Sequence, residues 1–401
     1  MLKVITWMIL GINKYKKGEG MLKIQRILLL ILINFLFILC SNLETNTQQK
    51  PKNIILMIGD GMGVVQITSG IYSSNKPLNF LRFKNVALMT NHSYDNIVTD
   101  SAASATAMAT GVKTYNGAVS VDPQKKPLKT IMELAKENGY NFGVVVTSPV
   151  TDATPAAFLS HTEDRKNEFE IALDILDVEP NILLGGGLKY FKDRPDQKDL
   201  LEEFRKKGYD IYFNWEDLLK TNINKNNKIL GLFADYGLPP AVKTMANPDS
   251  KYYDYLNSKT DFNKFRSQDY LVQMTRFAIK YLESQNKPFI LLIEGSQIDW
   301  AGHNMDANYI IAEVLDFDNA IGEALNYAER DQKTLVIVTA DHETGGFAIV
   351  KGQPGKFETK FIHSSHTSQL VPVFTFGPGS NEFSGIFDNT DIFKKIKKLW
   401  F

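Results

Sequence analysis

Ser101 stands where a reactive hydroxyl would meet an anion. A run of small residues, mostly Ala, Ser and Thr, follows it as far as Thr110, and such a run favours a helix that begins directly after Ser101. The hydroxyl would then lie at a helix N-terminus, where unpaired backbone N–H groups and the helix dipole favour negative charge. Taken alone, Asp100 followed by Ser101 is also typical of a simple helix cap.

Carboxylates and histidines follow apolar, strand-like runs elsewhere in the chain. In an open α/β sheet, the ends of such strands carry the active-site groups. An Asp after a strand can also cap a helix, and a lone His is often structural. Together, however, these residues indicate one cluster of metal ligands. They are Asp60 after 53–58, Glu294 after 289–293 with Asp299 and His303 beyond it, Asp341 and His342 after 334–340, and His366 ahead of 371–376.

Two kinds of metal site fit these residue types. Histidine together with carboxylate suits zinc, and Asp299 and His303 stand one helical turn apart, so both can face one ion. Oxygen atoms alone, from Asp60, Thr154 and Glu294, suit a hard octahedral cation such as magnesium. Two zinc ions beside a serine predict phosphoryl chemistry, because they can hold the attacking and leaving oxygens of an in-line displacement and activate the serine hydroxyl.

The same residues occur in motifs that resemble those of bacterial alkaline phosphatases, in the same order and over nearly the whole chain from Pro51. Several motifs in order are far more specific than any one of them. The matching stretches are 58–63 (Ile-Gly-Asp-Gly-Met-Gly), 99–122 with Thr-Gly-Val-Lys-Thr-Tyr-Asn-Gly at 110–117, 152–157 (Asp-Ala-Thr-Pro-Ala-Ala), 294–299 (Glu-Gly-Ser-Gln-Ile-Asp), 339–342 (Thr-Ala-Asp-His) and 366–367 (His-Thr).

The resemblance implies hydrolysis of small-molecule phosphate monoesters through a covalent phosphoserine at Ser101, releasing alcohol and inorganic phosphate. It implies two zinc ions and one magnesium ion as cofactors. Arg165 occupies the position of the family's phosphate-binding arginine, although by itself it would be interpreted as part of a solvated charge run. The implied ligands are Asp299, His303 and His366 for the first zinc, Asp60, Asp341, His342 and Ser101 for the second, and Asp60, Thr154 and Glu294 for magnesium, with Asp152 reaching magnesium through water.

Trp300 and His363 complicate the match. Trp300 follows Asp299 directly, where the best-known enterobacterial members have Lys and the vertebrate members have His. Trp can neither contact phosphate as an ammonium does nor bind a metal, so phosphate affinity and occupancy of the third metal site stay open.

His363 competes with His366 as a zinc ligand, and the Thr-x-Gln pattern and strand after His366 favour His366.

Strand-like and helical stretches alternate along the chain. This alternation predicts an α/β fold with a mainly parallel sheet and helices on both faces, and the resemblance implies the three-layer αβα sandwich of alkaline phosphatases. The predicted strands are 54–58, 142–147, 182–185, 289–294, 335–340 and 371–376, and the predicted helices are 128–137, 268–284, 308–328 and 391–399.

One catalytic domain is predicted over 53–401. The 401 residues, 44% of them hydrophobic, are enough to bury a substantial core. A polar, Asn- and Lys-rich stretch at about 209–265 interrupts the alternation and is interpreted as an insertion. The resemblance implies a small crown at about 346–362 and a homodimer, although the short crown leaves the usual dimer contacts in doubt.

The N-terminus predicts export. Met21 begins a basic stretch that leads into the apolar run 27–40, which has the form of a signal peptide and is too short for an ordinary membrane span. Residues 1–40 are therefore interpreted as a signal peptide region that starts at Met21, and 41–52 as a flexible tether. Cys40 favours a lipid-anchored or periplasmic protein over a secreted one, although the residue before it is larger than usual for lipid attachment.

Composition excludes some other classes of protein. The 45 basic and 45 acidic residues balance, but residues 1–40 hold six Lys or Arg and one Glu, so the remainder has 39 basic and 44 acidic residues and a net charge of −5. We therefore expect no nucleic-acid-binding surface. Cys40 is the single cysteine, and therefore no disulfide can stabilise the domain.

Two alternatives remain open from the sequence. One is another hydrolase of the same metal superfamily. A sulfatase would need Pro and Arg after its nucleophile, which the Ser101 segment lacks, while phosphodiesterases usually present Thr, and Arg165 suits a dianionic monoester. The other is a surface lipoprotein that binds zinc or phosphate without turnover, for which Ser101 would serve no purpose.

Overall fold

The computed structural model of the protein describes residues 50–223, 227–242, 266–267 and 269–401, together with Ile31. Apart from Ile31, the signal peptide region 1–40 lies outside these residues, including its predicted start at Met21 and the predicted lipid attachment at Cys40, and so does the tether up to residue 49. Export and lipid attachment therefore stay predictions. Within the described part of the chain, every helix is too short or too polar to cross a membrane.

The centre of the fold is a large, mainly parallel sheet. The strands are β1 (Asn53–Gly59), β2 (Asn85–Thr90), β3 (Asn141–Pro149), β4 (Ile182–Gly186), β5 (Tyr209–Tyr212), β6 (Lys228–Leu232), β7 (Phe289–Gly295), β8 (Thr334–Thr339), β9 (Glu343–Thr344), β10 (Ala348–Gln353), β11 (Lys356–Lys360), β12 (His366–Thr367), β13 (Val371–Phe376) and β14 (Ile386–Asp388). Ten of them form one sheet in the order β14-β2-β13-β8-β1-β7-β3-β4-β6-β5. β13 runs antiparallel to both of its neighbours.

Two groups of helices cover this sheet. The helices are α1 (Val64–Ser73), α2 (Ser101–Thr110), α3 (Ile131–Glu137), α4 (Ala153–Leu159), α5 (Glu168–Val178), α6 (Leu188–Lys192), α7 (Leu200–Lys206), α8 (Trp215–Leu219), α9 (Tyr270–Ser284), α10 (Gln297–His303), α11 (Ala307–Asp331) and α12 (Thr390–Trp400). One group packs α1, α9 and α10 against α11, and the other packs α4 and α12 against α2. β1, β7 and β8 are buried at every residue, as apolar parallel strands covered on both faces are. The predicted α/β fold is confirmed.

Helix α2 holds Ser101 at its first position and is buried along its whole length. Its mostly small side chains allow α4 and α12 to pack closely against it. The Asp100 carboxylate caps the helix by accepting from the Ala103 N–H at 3.0 Å. The helix ends at Gly111, which has a left-handed φ of 76°, and a Cβ there would lie 2.7 Å from the Phe393 ring. Ser101 is therefore fixed in a rigid environment.

The segment 209–265 differs from its prediction as a polar insertion. β5 is an edge strand of the central sheet, and β6 lies between β5 and β4 and pairs in parallel with both. β5 is four residues long and partly exposed at three of them, as short edge strands are. β6 is apolar and buried after Lys228, but it directly follows the Asn- and Lys-rich stretch 222–227, which concealed it. Residues 224–226 and 243–265 lie outside the described residues. The segment predicted as a crown, 346–362, contains the exposed antiparallel hairpin of β10 and β11, and its part in a homodimer stays a prediction.

A buried ion cluster ties α11 to the chain beyond β6. The Arg266 guanidinium donates to Glu313 and, at 2.8 Å, to Asp316. It also donates to the Pro239 carbonyl at 2.6 Å. Burial raises the pKa of Asp316 to about 7, although Arg266 acts in the opposite direction. Because α11 follows directly after α10, this cluster anchors the helical layer that carries Asp299.

Replacement of Arg266 by Met should lower the free energy of unfolding by about 3 to 5 kcal/mol, because two buried carboxylates lose their cation. Urea denaturation at pH 7 measures the change. Arg276→Met is the matched control, since Arg276 pairs with Glu323 at the surface and exposed pairs contribute about 0 to 1 kcal/mol. Equal losses in the two variants would contradict the stabilising role of the buried cluster.

Candidate active site

Parallel strands bring four acidic residues to one edge of the sheet. Asp60 follows β1, Glu294 lies near the end of β7, Asp341 follows β8, and Asp152 follows β3. β1 pairs in parallel with β7 on one side and with β8 on the other, so the carboxyl ends of these strands meet. The sheet therefore gathers residues that are far apart in the sequence.

Asp299, His303 and His366 form the first ligand group. One ligand atom from each lies within 4.8 Å of those of the others. Asp299 Oδ2 lies 3.3 Å from His303 Nε2, and Asp299 Oδ1 lies 3.4 Å from His366 Nε2. His366 reaches this place through β12, which pairs with β9. The competing His363 is exposed and does not belong to the group.

Asp60, Asp341 and His342 form the second ligand group, within the same limit of 4.8 Å. His342 Nε2 lies 3.5 Å from Asp60 Oδ1 and 3.2 Å from Asp341 Oδ2. Ser101 Oγ lies 3.2 Å from the same His342 nitrogen. Asp341 Oδ1 accepts from the Gly61 N–H at 3.0 Å, which fixes the carboxylate. The structure thus places the predicted nucleophile at the second group.

Several candidate ligand atoms are buried without a hydrogen-bond partner. Among the described residues this holds for Asp60 Oδ1, Asp341 Oδ2 and Thr154 Oγ1, although buried oxygens normally have a partner. Glu294 instead accepts from Ser296 at 2.7 Å. All three oxygens belong to residues predicted to bind a metal, although other buried oxygens without a partner, such as Asn53 Oδ1 and Thr275 Oγ1, belong to residues outside the predicted ligand sets. The donor atoms therefore fit zinc at the two groups and an oxygen-bound cation at Asp60, Thr154 and Glu294.

Burial and mutual repulsion shift the pKa values of these carboxylates. Burial, assisted by the neighbouring carboxylates, raises the pKa of Asp60 well above its ordinary value. Burial also raises the pKa of Asp341 to about 6 and that of Glu294 to about 8. For Asp299 burial acts in the same direction, but the two histidines of its group hold its pKa well below the ordinary value. A bound cation would relieve this repulsion.

Arg165 is held between two aspartates. Its guanidinium donates to Asp100 Oδ2 at 3.2 Å and to Asp152 Oδ1 at 3.1 Å. Asp152 also caps α4, and it belongs to neither ligand group. Asp100 was not predicted from the sequence as a partner of Arg165, although its place directly before Ser101 is a signal. The two carboxylates keep the planar guanidinium in one orientation.

A cavity of about 520 Å³ opens over these residues, with room for both the phosphate and the alcohol part of an ester. Trp300 is 7% exposed and lines the cavity, as Ser101 and Arg165 do. Further lining residues were not predicted from the sequence because their motifs carry no distinctive chemistry. They include Asn96, Val98, Asn116, Lys166, Glu168 and Ser365.

Comparison with known proteins agrees with the motifs. The family model described as alkaline phosphatase matches residues 51–364. Alkaline phosphatase 3 of Bacillus subtilis (strain 168) is 34% identical, over 88% of this chain and 90% of the relative. The solved structure of alkaline phosphatase from the Antarctic bacterium TAB5 is 39% identical, covers 88% of this chain and 98% of that chain, and has a TM-score of 0.78.

A solved variant of the TAB5 protein carries Mg in its M3 site. It is also 39% identical, with a TM-score of 0.78, and covers 88% of this chain and 99% of that chain. The resemblance predicted from the motifs is confirmed by these matches.

Chelation of bound metal should lower the melting temperature of the protein, and zinc with magnesium should restore it, because cations relieve the repulsion among the buried carboxylates. A ligand at one hundred times its Kd stabilises by about 2.7 kcal/mol, which differential scanning calorimetry resolves. Asp341→Asn should reduce the gain, whereas Asp210→Asn on β5 should not. An unchanged melting temperature on addition of zinc would contradict the assignment of these residues as metal ligands.

Proposed function

Because this chain belongs to the alkaline phosphatase family and is a phosphomonoesterase, we propose that it acts through a covalent phosphoserine at Ser101, with two zinc ions and one magnesium ion. The observation that carries this proposal is the place of the buried Ser101 Oγ, 3.2 Å from His342 Nε2 in the second ligand group. Arg165 lines the same cavity. A nucleophile, a cluster of metal ligands and a phosphate-binding cation therefore surround one space.

The reaction runs in two displacements at phosphorus. Ser101 Oγ attacks first, so that the Oγ–P bond forms while the bond from phosphorus to the alcohol oxygen breaks and the alcohol leaves with a proton. Water then attacks the phosphoserine, the Oγ–P bond breaks, and inorganic phosphate leaves. Because each displacement inverts the configuration at phosphorus, the two together retain it.

Arg165 and α2 hold the phosphate during both displacements. A planar guanidinium can donate to two phosphate oxygens at once, and the contacts of Arg165 with Asp100 and Asp152 keep it oriented for this. Ser101 is the first residue of α2, so the positive end of the helix dipole faces the same anion.

The two ligand groups and the oxygen set indicate which residues would hold the cofactors. When bound, zinc acts as a Lewis acid that activates the serine hydroxyl and water and neutralises developing charge. Asp60 belongs to both the second zinc set and the magnesium set, and Asp152 would reach magnesium through water. The zinc ligands would be Asp299, His303 and His366 for the first ion and Asp60, Asp341, His342 and Ser101 for the second, and the magnesium ligands would be Asp60, Thr154 and Glu294.

The alternatives from the sequence lose their support. The family match is to phosphomonoesterases rather than to sulfatases or phosphodiesterases. A lipoprotein that binds zinc without turnover is not favoured either, since Ser101 lies at the ligand group. A homodimer is part of the proposal through the family resemblance.

Ser101→Ala should reduce kcat for p-nitrophenyl phosphate by about a thousandfold or more, since catalytic nucleophiles contribute at least that much. The variant should still bind zinc. Radiolabelled phosphate should attach covalently to the wild type in acid-quenched samples and not to the variant. Ser160→Ala is the control, because Ser160 donates to Asp174 at the end of α4. Phosphoenzyme in Ser101→Ala would show that another residue is the nucleophile.

The wild type should hydrolyse p-nitrophenyl phosphate much faster than bis-p-nitrophenyl phosphate, because Arg165 suits the second charge of a monoester. Arg165→Lys should raise KM for the monoester and the inhibition constant of inorganic phosphate by about 10- to 100-fold. This is the change in affinity expected when one hydrogen bond to a charged group is lost. Arg205→Lys, at a surface pair, should change neither constant. A preference of the wild type for the diester would contradict this role.

A further inference from the structure

Two of the histidines in the ligand groups are oriented by backbone carbonyls. His303 Nδ1 lies 2.9 Å from the Ser364 carbonyl oxygen, and His366 Nδ1 lies 2.9 Å from that of Thr99. A carbonyl oxygen can only accept a hydrogen bond. Both rings therefore carry a proton on Nδ1 and direct Nε2 towards the metal site, which is the usual way in which a protein fixes a histidine ligand.

The ring of His342 contacts a hydroxyl, where His303 and His366 each contact a backbone carbonyl. Its Nδ1 lies 3.2 Å from Thr344 Oγ1, and a hydroxyl can either donate or accept. The other contact of the same hydroxyl decides between the two, because Thr344 Oγ1 lies 2.5 Å from Asp299 Oδ1. The Asp299 carboxylate accepts the single hydroxyl proton, so only a lone pair remains for His342. His342 must then donate from Nδ1, which leaves Nε2 directed at Asp60 and Asp341.

We propose that Thr344 is a positioning residue that couples the two ligand groups. Its hydroxyl donates to Asp299 in the first group and accepts from His342 in the second, so one side chain orients a ligand in each. The inference rests on the proposed function, since it takes both groups to bind zinc. Through Thr344, the orientation of His342 depends on Asp299. The orientations of His303 and His366 do not depend on another ligand in this way, because backbone carbonyls hold them.

The packing around Thr344 keeps its hydroxyl in this place. The side chain is fully buried. A Cβ added at Gly61 would lie 2.6 Å from Thr344 Oγ1, and one added at Gly302 would lie 2.8 Å from its Cγ2. The Thr344 N–H donates to the Gly61 carbonyl, and its carbonyl accepts from Gln66 at 3.0 Å. Because the two glycines leave little room for rotation, a methyl group in place of the hydroxyl would occupy the same position.

Thr344→Val and Thr344→Ser separate the hydroxyl from the volume of the side chain. In a zinc titration of the metal-free protein against a chromogenic chelator, Thr344→Val should weaken zinc binding by about 10- to 100-fold, as loss of a hydrogen bond to a metal ligand does. Thr344→Ser should bind zinc almost as the wild type does. The control is Thr339→Val, because Thr339 is also fully buried and donates to the Pro372 carbonyl.

A second measurement follows the His342 ring itself. Long-range proton–nitrogen correlation spectra of histidine-labelled, metal-free protein distinguish the two imidazole tautomers. The wild type should show His342 protonated on Nδ1, and Thr344→Val should populate the form protonated on Nε2. A merely structural loss of packing would not change the tautomer.

The outcomes separate this inference from the proposed function. If the wild type binds two zinc ions and Thr344→Val binds them equally tightly, the coupling by Thr344 is overturned while the proposed function stands. The same conclusion follows if Thr344→Ser is as weak as Thr344→Val, because side-chain volume would then be the cause. If the wild type binds no zinc at these groups, the proposed function and the inference fail together.

Discussion

Repulsion among buried carboxylates is the interaction on which the rest of the structure depends. Asp60, Glu294, Asp299 and Asp341 are each at most 6% exposed, so water cannot solvate their charges. Proteins tolerate such groups when they are paired or bound to metal ions. Two histidines partly neutralise Asp299, whereas Asp60 and Asp341 contact the neutral ring of His342, whose pKa burial holds well below its ordinary value. The negative charge that Asp60 and Asp341 carry when ionised is not balanced by this ring, so this edge of the sheet favours bound cations.

A rigid frame is needed to keep repelling groups together, and the central sheet with its helices provides it. Asp341 is held by the N–H groups of Gly61 and His342 through its side chain and by Ser104 through its carbonyl, at 2.8 Å. Ser104 in turn accepts from Asn389, at the start of α12. Helix α2 therefore carries the nucleophile at its first residue and supports a metal ligand through its fourth.

The phosphate side of the site contains a cation. Arg165 lies between two carboxylates, and a turn at Gly117 sets its distance from the nucleophile. The Gly117 N–H donates to Asp100 Oδ2 at 3.0 Å, and its carbonyl accepts from the Arg165 N–H at 2.8 Å. Since Asp100 precedes Ser101 directly, the same turn positions the cation and the serine relative to each other. Such preorganisation reduces the ordering needed when phosphate binds.

The sequence by itself determined the chemistry that is available and the class of the fold. Continuous apolar runs followed by Asp, Glu or His predicted buried parallel strands with ligands at their ends. Such a prediction needs only the side-chain types of neighbouring residues, which the sequence gives directly. Only the tertiary structure decided which residues meet: that Asp100 holds Arg165, that β5 and β6 join the sheet, and that Thr344 lies between Asp299 and His342. These contacts depend on where distant segments cross, and a hydroxyl or an edge strand has no local pattern that records its partner.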